Sequence, residues 1–172
     1  MQDPSPPVSV PRLATPRLLL REYRVGDFDA FAAHCADPVA MALWGVIDRR
    51  NARRLFAANM GERLLQGAGW WAVELRASGT VVGSVGAFLR EGFPDLELGW
   101  NTYQAYWDQG IATEAATEVV RYAFAVRGER RVNALIEAPN ERSIRVAAHL
   151  GMTYETDVDF YGKPSGRYAL ER

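Results

Sequence analysis

The chain has 172 residues, of which 48% are hydrophobic and 24% charged, which fits one folded domain with a sizeable core. The net charge of −1 argues against a nucleic acid partner or a membrane surface held by bulk electrostatics. No stretch is long and apolar enough to span a membrane, and the single cysteine, Cys35, excludes an intrachain disulfide, so we predict a cytoplasmic protein.

The first third of the chain predicts an arm, a strand and three helices. The prolines in residues 1–12 predict an extended arm, and we assign residues 13–172 to the folded domain. "RLLLRE" reads as the first strand, and Asp27 is a candidate N-cap for a helix over "FDAFAAHCA". A short helix is expected around "VAMALWG". A longer one is expected over "RRNARRLFAANMGERLLQGAG".

The remainder predicts a sheet interleaved with helices. "WWAVELR" and "VVGSVGAFLR", joined by "ASG", are typical of a β-hairpin, and "DLELGWNT" adds a third strand. A helix over 111–126, the strand "RVNALIEA", the helix "ERSIRVAAHLG" and the strand "MTYETDVDFYG" follow. The turn "KPSG" and the strand "RYALER" complete the chain. This order predicts one α/β (α+β) domain with a mixed sheet.

The stretch "WDQGIATEAATEVVRYAF" places small residues where a helix begins. The first turn of a helix exposes backbone N–H groups at the positive end of its dipole, and phosphate binds there when small side chains let it approach. Gly110, Ala112 and Thr113 meet that need. Equally, Gly110 could serve only a tight turn. Glycine-rich dinucleotide and P-loop motifs are absent from the sequence, and His34 and His149 are too isolated to predict a metal site.

Four segments in order resemble the GNAT superfamily of N-acetyltransferases, in particular its ribosomal-protein N-terminal acetyltransferase branch. They are "TPRLLLREYRVGDFDAF", "LELGWNTYQAYWDQGIATEA", "NERSIRVAAHLGM" and "YGKPSGRYALER". The resemblance covers most of residues 13–172. It implies a twisted mixed sheet, flanked by helices, whose two central parallel strands splay apart to admit the pantetheine arm of acetyl-CoA.

The resemblance also implies where the coenzyme binds. Backbone groups of Trp100, Asn101 and Thr102 would pair with pantetheine, because splayed strands leave ladder groups unpaired. The backbone amides of the following loop and helix start would hold the pyrophosphate, namely Asp108, Gln109, Gly110, Ile111, Ala112 and Thr113.

One part of the loop departs from the family pattern. The family loop reads Gln/Arg-x-x-Gly-x-Gly/Ala, and its three slots hold Trp107, Gly110 and Ala112 in this chain. Relatives often carry glycine at the position of Asp108. A carboxylate beside a pyrophosphate is repulsive, so we expect the Asp108 side chain to point away and only its backbone to line the loop.

Three side chains are candidates for catalysis. Glu97 lies on the strand beside the expected thioester and is our candidate base, with a structural arginine partner as the alternative role. Ser143 and Asn140 match the family's Asn-x-x-Ser motif, so the resemblance implies a proton donor and an orienting residue; Asn140 also fits an N-cap. Arg145 is a candidate contact for the coenzyme phosphates. Tyr154 is the fallback acid.

The expected reaction is direct attack of a primary amine, on a small molecule or a protein N-terminus, on acetyl-CoA, without a metal. The acceptor site is expected to form from the region between the first strand and the first hairpin, which includes Trp44, and from the C-terminal hairpin near Tyr161. Two alternatives are a coenzyme-A-binding module without catalysis and a transferase for a longer acyl group. The oligomeric state stays open, a homodimer included.

Overall fold

A computed structural model describes residues 11–66, 68–90 and 93–172, so all but the end of the predicted arm lies outside the described residues. The described chain contains four α-helices and eight strands, with short 3-10 helices at Val25–Asp27 and Gln104–Tyr106. The helices are α1 Phe28–Ala36, α2 Arg49–Gln66, α3 Ile111–Ala125 and α4 Glu141–His149. The strands are β1 Leu13–Ala14, β2 Leu18–Arg21, β3 Gly69–Leu75, β4 Val81–Phe88, β5 Leu96–Thr102, β6 Arg131–Ile136, β7 Thr153–Phe160 and β8 Lys163–Glu171.

All eight strands form one mixed sheet in the order β1-β2-β3-β4-β5-β6-β8-β7. Every neighbouring pair is antiparallel except β5 and β6, which are parallel at the centre. These two strands pair only at Leu96 with Val132 and at Glu97 with Asn133. Residues 98–102 of β5 stay paired with β4 on the other side. The predicted mixed sheet with a central splay is therefore confirmed.

Apolar side chains cover the sheet on both faces. On one face, the buried stripe of α3 packs against Trp71, Leu96 and Leu98. On the other, α1 and α2 bury a smaller cluster around Tyr23 and Phe56. The strict alternation of β5 divides its side chains between these faces, as expected for a strand covered on both sides. None of the described helices combines the length and the apolarity needed to cross a lipid bilayer.

The structure corrects three details of the sequence prediction. Residues 38–44 form turns and not a helix, ending at Gly45 with a φ of 81°. The strand β1 precedes the predicted first strand and pairs with it. "KPSG" is not the turn: it lies in β8, and the turn is at Tyr161 and Gly162. Pro164 is tolerated in this strand because it lies beyond the end of β6, where no backbone N–H is needed for pairing.

Candidate functional site

A cleft of about 720 Å³ opens where β5 and β6 separate, and it continues past the start of α3 to α4. Of the predicted catalytic and coenzyme-binding residues, all except Gln109 and the fallback acid Tyr154 line it. They come from β5, the loop before α3, and the first turns of α3 and α4: Glu97, Trp100, Asn101, Thr102, Asp108, Gly110, Ile111, Ala112, Thr113, Asn140, Ser143 and Arg145.

Four buried polar side-chain atoms border the splay without a hydrogen-bond partner among the described residues. They are Trp100 Nε1, Asn101 Oδ1 and Thr102 Oγ1 on β5, and Asn133 Oδ1 on β6. Buried polar groups in folded proteins are normally satisfied. A ligand with amide and hydroxyl groups that entered the splay would offer partners of the right kind.

The loop before α3 turns its backbone through two left-handed residues. Gly110, the N-cap of α3, has a φ of 72°, and Asp108 has a φ of 58°. A Cβ on Gly110 would meet only Arg17 Nη2, at 3.6 Å, so the backbone conformation and not crowding favours glycine there. The N-cap of α3 has no side-chain hydrogen bond. The amides of its first turn have no helical acceptors, and the residues that carry them, Ile111, Ala112 and Thr113, line the cleft.

Arg17 and Glu114 secure this loop from behind, and sequence reasoning did not identify either residue. Arg17 Nη1 donates to the carbonyl oxygen of Gln109 at 3.0 Å, and its Nε donates to Glu114 Oε2 at 2.6 Å. Thr15 Oγ1 also donates to Glu114. The carbonyl oxygen of Gln109 thus accepts from Arg17, and its side chain donates to the carbonyl oxygen of Ala105. No sequence motif links positions that are 97 residues apart.

An arginine of α4 covers the loop from the other side. The guanidinium of Arg142 stacks on the Trp107 ring at 3.8 Å, and Arg142 Nη2 lies 3.7 Å from Asp108 Oδ2. Trp107 itself is fixed by donating from Nε1 to the carbonyl oxygen of Thr102 at 2.7 Å. The position that carries Gln or Arg in the family pattern thus holds an indole that positions an arginine from another element.

The start of α4 confirms the predicted N-cap. Asn140 Oδ1 accepts a hydrogen bond from Ser143 N at 3.2 Å, which leaves the Asn140 amide group and the Ser143 hydroxyl at the cleft wall. Arg145 is exposed, and its Nη1 lies 3.9 Å from Glu141 Oε2. That distance leaves Arg145 loosely held on the rim of the cleft.

Glu97 lies at the point where the strands separate, and it is only 5% exposed. Both its oxygens accept hydrogen bonds from Arg90, at 2.8 and 2.9 Å. These bonds raise the pKa of Arg90, against the opposing effect of its burial. The arginine partner that we considered for Glu97 is therefore present. Both residues line the cleft, so the pair and a role in proton transfer are compatible.

The end of the cleft beside Glu97 is aromatic. We call it the aromatic end and define it by Trp44, Trp70, Phe88, Phe160 and Tyr161. Trp44 and Phe160 meet edge to face with ring centroids 6.2 Å apart, and Trp70 stacks on Phe88 at 5.4 Å. Trp44 and Tyr161, the two residues expected near the acceptor, come from separate loops and are 54% and 81% exposed.

Tyr154, Cys35 and His34 are three further reactive side chains, of which Cys35 and His34 line the cleft. Tyr154 is on β7, stacks edge to face on Tyr168 and does not line the cleft, so its role as the fallback acid is not supported. Cys35 is buried and its pKa is raised by burial, as expected of a structural thiol. His34 packs on Tyr103 at 4.9 Å, and burial lowers its pKa.

Comparison with known proteins gives the family context. A family model described as "Acetyltransferase (GNAT) domain" matches residues 17–153. The protein YkkB of Bacillus subtilis (strain 168) is 30% identical over 161 residues, which cover 91% of this chain and 94% of YkkB. The N-acetyltransferase YnaD of the same organism is 28% identical over 83% of each chain. The crystal structure of an acetyltransferase from Agrobacterium tumefaciens superposes with a TM-score of 0.86 at 26% identity, over 95% of this chain and 96% of that one.

Proposed function

Because the chain belongs to the GNAT family of acetyltransferases and is an N-acetyltransferase, we propose that it moves an acetyl group from acetyl-CoA to a primary amine. The acceptor amine belongs to a small molecule or a protein N-terminus, and it attacks the thioester directly.

The observation that carries the coenzyme proposal is the two-residue pairing of β5 with β6. Beyond Glu97, β5 keeps one neighbour and turns its other edge to the cleft. Pantetheine, with two amides in an extended chain, would pair with that edge as a short additional strand. Trp100, Asn101 and Thr102, whose side chains carry unpartnered atoms, all line the cleft.

The phosphate groups would lie at the start of α3. First-turn amides and the helix dipole favour an anion at this position. Arg142 adds a positive charge beside the loop, and stacking on Trp107 limits the freedom of its guanidinium. Arg145 would reach the more exposed phosphate, since it lies on the rim of the cleft.

The chain supplies the proton transfers and the positioning. The amine nitrogen attacks the carbonyl carbon, and a strand N–H near Leu98–Trp100 stabilises the oxyanion. Glu97 accepts the proton of the amine through water, using lone pairs left free by the two bonds to Arg90. The carbon–sulfur bond then breaks, the Ser143 hydroxyl passes a proton to the departing sulfur and regains one from water, and Asn140 orients the groups.

Release of free thiol from acetyl-CoA tests this proposal. We expect thiol release that requires both the protein and an amine from a broad panel of small amines and peptides. Parallel runs with propionyl-CoA and succinyl-CoA measure the acyl preference. Calorimetric binding of acetyl-CoA without turnover on the whole panel would favour a non-catalytic coenzyme-A-binding module.

Glu97→Gln tests the assignment of the base. We expect kcat to fall by about a hundredfold, which is typical of losing a general base, with unchanged affinity for acetyl-CoA by calorimetry. Asp95→Asn is the matched control. Asp95 is a carboxylate next to the same strand, it lies outside the cleft, and it accepts a hydrogen bond from Arg131 at 2.9 Å. An unchanged kcat in Glu97→Gln removes Glu97 as the base.

A further inference from the structure

We infer that the acceptor is a primary amine on an uncharged aromatic body, and that polyamines are poor acceptors. This inference rests on the proposed function and specifies its second substrate. It depends on the charges and rings that surround the aromatic end of the cleft, since these groups decide which acceptor is bound beside Glu97.

Each carboxylate that lines the described cleft has a cation of the chain beside it. Glu97 binds Arg90 through two hydrogen bonds, and Asp108 lies 3.7 Å from Arg142 at the opposite end. Glu137 lies 3.3 Å from Lys163 Nζ, which also donates to the carbonyl oxygen of Leu43 at 2.6 Å. A second ammonium group on the acceptor would therefore be desolvated without a free carboxylate to receive it.

Several rings of the aromatic end already have a cation of the chain over one face. The guanidinium carbon of Arg90 lies 4.6 Å from the centroid of the Phe160 ring and 5.4 Å from that of Phe88. Lys163 Nζ lies 5.2 Å from the centroid of the Trp44 ring. An additional cation at these rings would meet the positive charge of Arg90 or Lys163, whereas an uncharged aromatic group would not be repelled.

The surface beside Glu97 is shaped for a flat group. A Cβ on Gly99 would lie 2.7 Å from the Trp70 ring, and one on Gly86 would lie 2.9 Å from it, so the indole rests directly on the backbone. The Trp70 ring also stacks on Phe88, with an angle of 29° between the two planes. Trp44 and Tyr161 are the exposed aromatic groups at the opening of the cleft.

Three probes test the inference: glycinamide, phenylalaninamide and spermidine. The first two differ only by a benzyl group, so their ratio of kcat/KM isolates the contribution of the ring. We expect phenylalaninamide to exceed glycinamide at least about tenfold, equivalent to about 1.4 kcal/mol. Spermidine is expected to be the poorest of the three. Acetyl-CoA binding is measured on the same preparation by calorimetry.

Two variants connect the preference to named residues. Trp44→Ala is expected to reduce the ratio of phenylalaninamide to glycinamide towards one. Val39→Ala, an exposed apolar residue of the same loop outside the cleft, is expected to leave the ratio unchanged. Lys163→Met removes the cation beside Glu137 and is expected to raise kcat/KM for spermidine about fivefold. Circular dichroism confirms that each variant is folded.

The outcomes separate this inference from the proposed function. Equal kcat/KM for glycinamide and phenylalaninamide, or a preference for spermidine, overturns the inference and leaves the acetyltransferase reaction intact. Acetylation of other amines on the broad panel, with none of the three probes accepted, also overturns the inference and leaves the acetyltransferase reaction intact. Binding of acetyl-CoA without turnover of any amine overturns both.

Discussion

Asp108 combines an unfavourable backbone conformation with an unfavourable charge for an anion-binding loop. Its φ of 58° lies in the left-handed region, where most side chains are strained but aspartate and asparagine are tolerated. Its carboxylate is 73% exposed and lies 3.7 Å from Arg142 Nη2. The side chain therefore points towards α4, and it competes with a phosphate for the same arginine.

Replacing Asp108 with glycine should therefore preserve or strengthen coenzyme binding. Asp108→Gly removes a negative charge beside the loop and relieves the left-handed strain, so we expect acetyl-CoA affinity equal to or up to about fivefold tighter than in the parent protein. Calorimetry at two salt concentrations measures it. Asp108→Ala is the control, because it removes the charge but keeps a Cβ at a positive φ. A clear loss of affinity in Asp108→Gly would show that the carboxylate is needed in place.

Residue types at motif positions could be assigned from the sequence, whereas their partners could not. Asn140 was recognisable as an N-cap because capping is local. The pairing of Arg90 with Glu97 depends on β4 lying antiparallel to β5, and the stack of Arg142 on Trp107 joins two elements. Contacts of this kind depend on tertiary structure and have no spacing signal.

At the scale of elements, the start of α3 depends on its attachment to the turn between β1 and β2. Glu114 accepts hydrogen bonds from Thr15 Oγ1, Arg17 N and Arg17 Nε. Its partial burial raises its pKa, but the hydrogen bonds from Thr15 and Arg17 outweigh that effect and leave the pKa below its usual value. Because Arg17 also holds the Gln109 carbonyl, this contact positions the loop as well as the helix.

Glu114→Gln tests this attachment through its dependence on pH. A lowered pKa in the folded state stabilises the protein above the pKa of the unfolded carboxyl, and that stability is lost as the pH falls through the folded value. We expect the variant to lose about 1 kcal/mol of unfolding free energy at pH 7 and less below about pH 4. Urea unfolding followed by circular dichroism measures both values.

Glu118→Gln is the matched control on the same helix, since among the described residues the ion pair of Glu118 is with Arg121, one turn away. We expect acetyl-CoA affinity to fall in Glu114→Gln and to stay unchanged in Glu118→Gln. Equal effects of the two substitutions on affinity would contradict a role of Glu114 in positioning the loop.

The type of an element was predicted correctly where the apolar residues repeat regularly over many positions. It was predicted less well where a short segment depends on its neighbours. α3 and the meander of β3, β4 and β5 carry clear apolar patterns and appear as expected. The segment at 38–44 is apolar enough for a helix, but Asp37 and the turn at Gly45 leave it too few residues to propagate one. β1, with two residues, is defined only by its pairing with β2.

On the scale of the whole molecule, a buried ion network connects the edge of the sheet to the start of α1. Arg21 is 2% exposed, and it donates to both oxygens of Asp27 at 2.7 and 2.9 Å and to Glu74 at 2.6 Å. The predicted capping residue Asp27 therefore uses its carboxylate for Arg21 and for the Arg24 amide. The network joins β2, β3 and the 3-10 turn before α1.

Removing the centre of this network should destabilise the whole fold. Arg21→Met leaves two carboxylates without their cation in a buried site, so we expect a loss of about 3 kcal/mol or more in unfolding free energy. Chemical denaturation at pH 7 measures it. Arg49→Ala breaks an exposed pair with Asp29 and should change stability by less than about 1 kcal/mol. Similar losses in both variants would show that the buried network contributes no more to the unfolding free energy than an exposed ion pair does.

Lys163 is the one lysine in the sequence, and it lies behind the wall of the cleft beside Glu137 and Trp44. Amine-directed reagents therefore meet a single side-chain target, next to the groups proposed to hold the acceptor. The rate at which Lys163 is labelled can be followed by mass spectrometry with and without added compounds. A change in that rate would report that a compound occupies the neighbouring acceptor site in the parent protein. A fluorescent group attached there would turn the same position into a sensor for screening, with no engineered cysteine required.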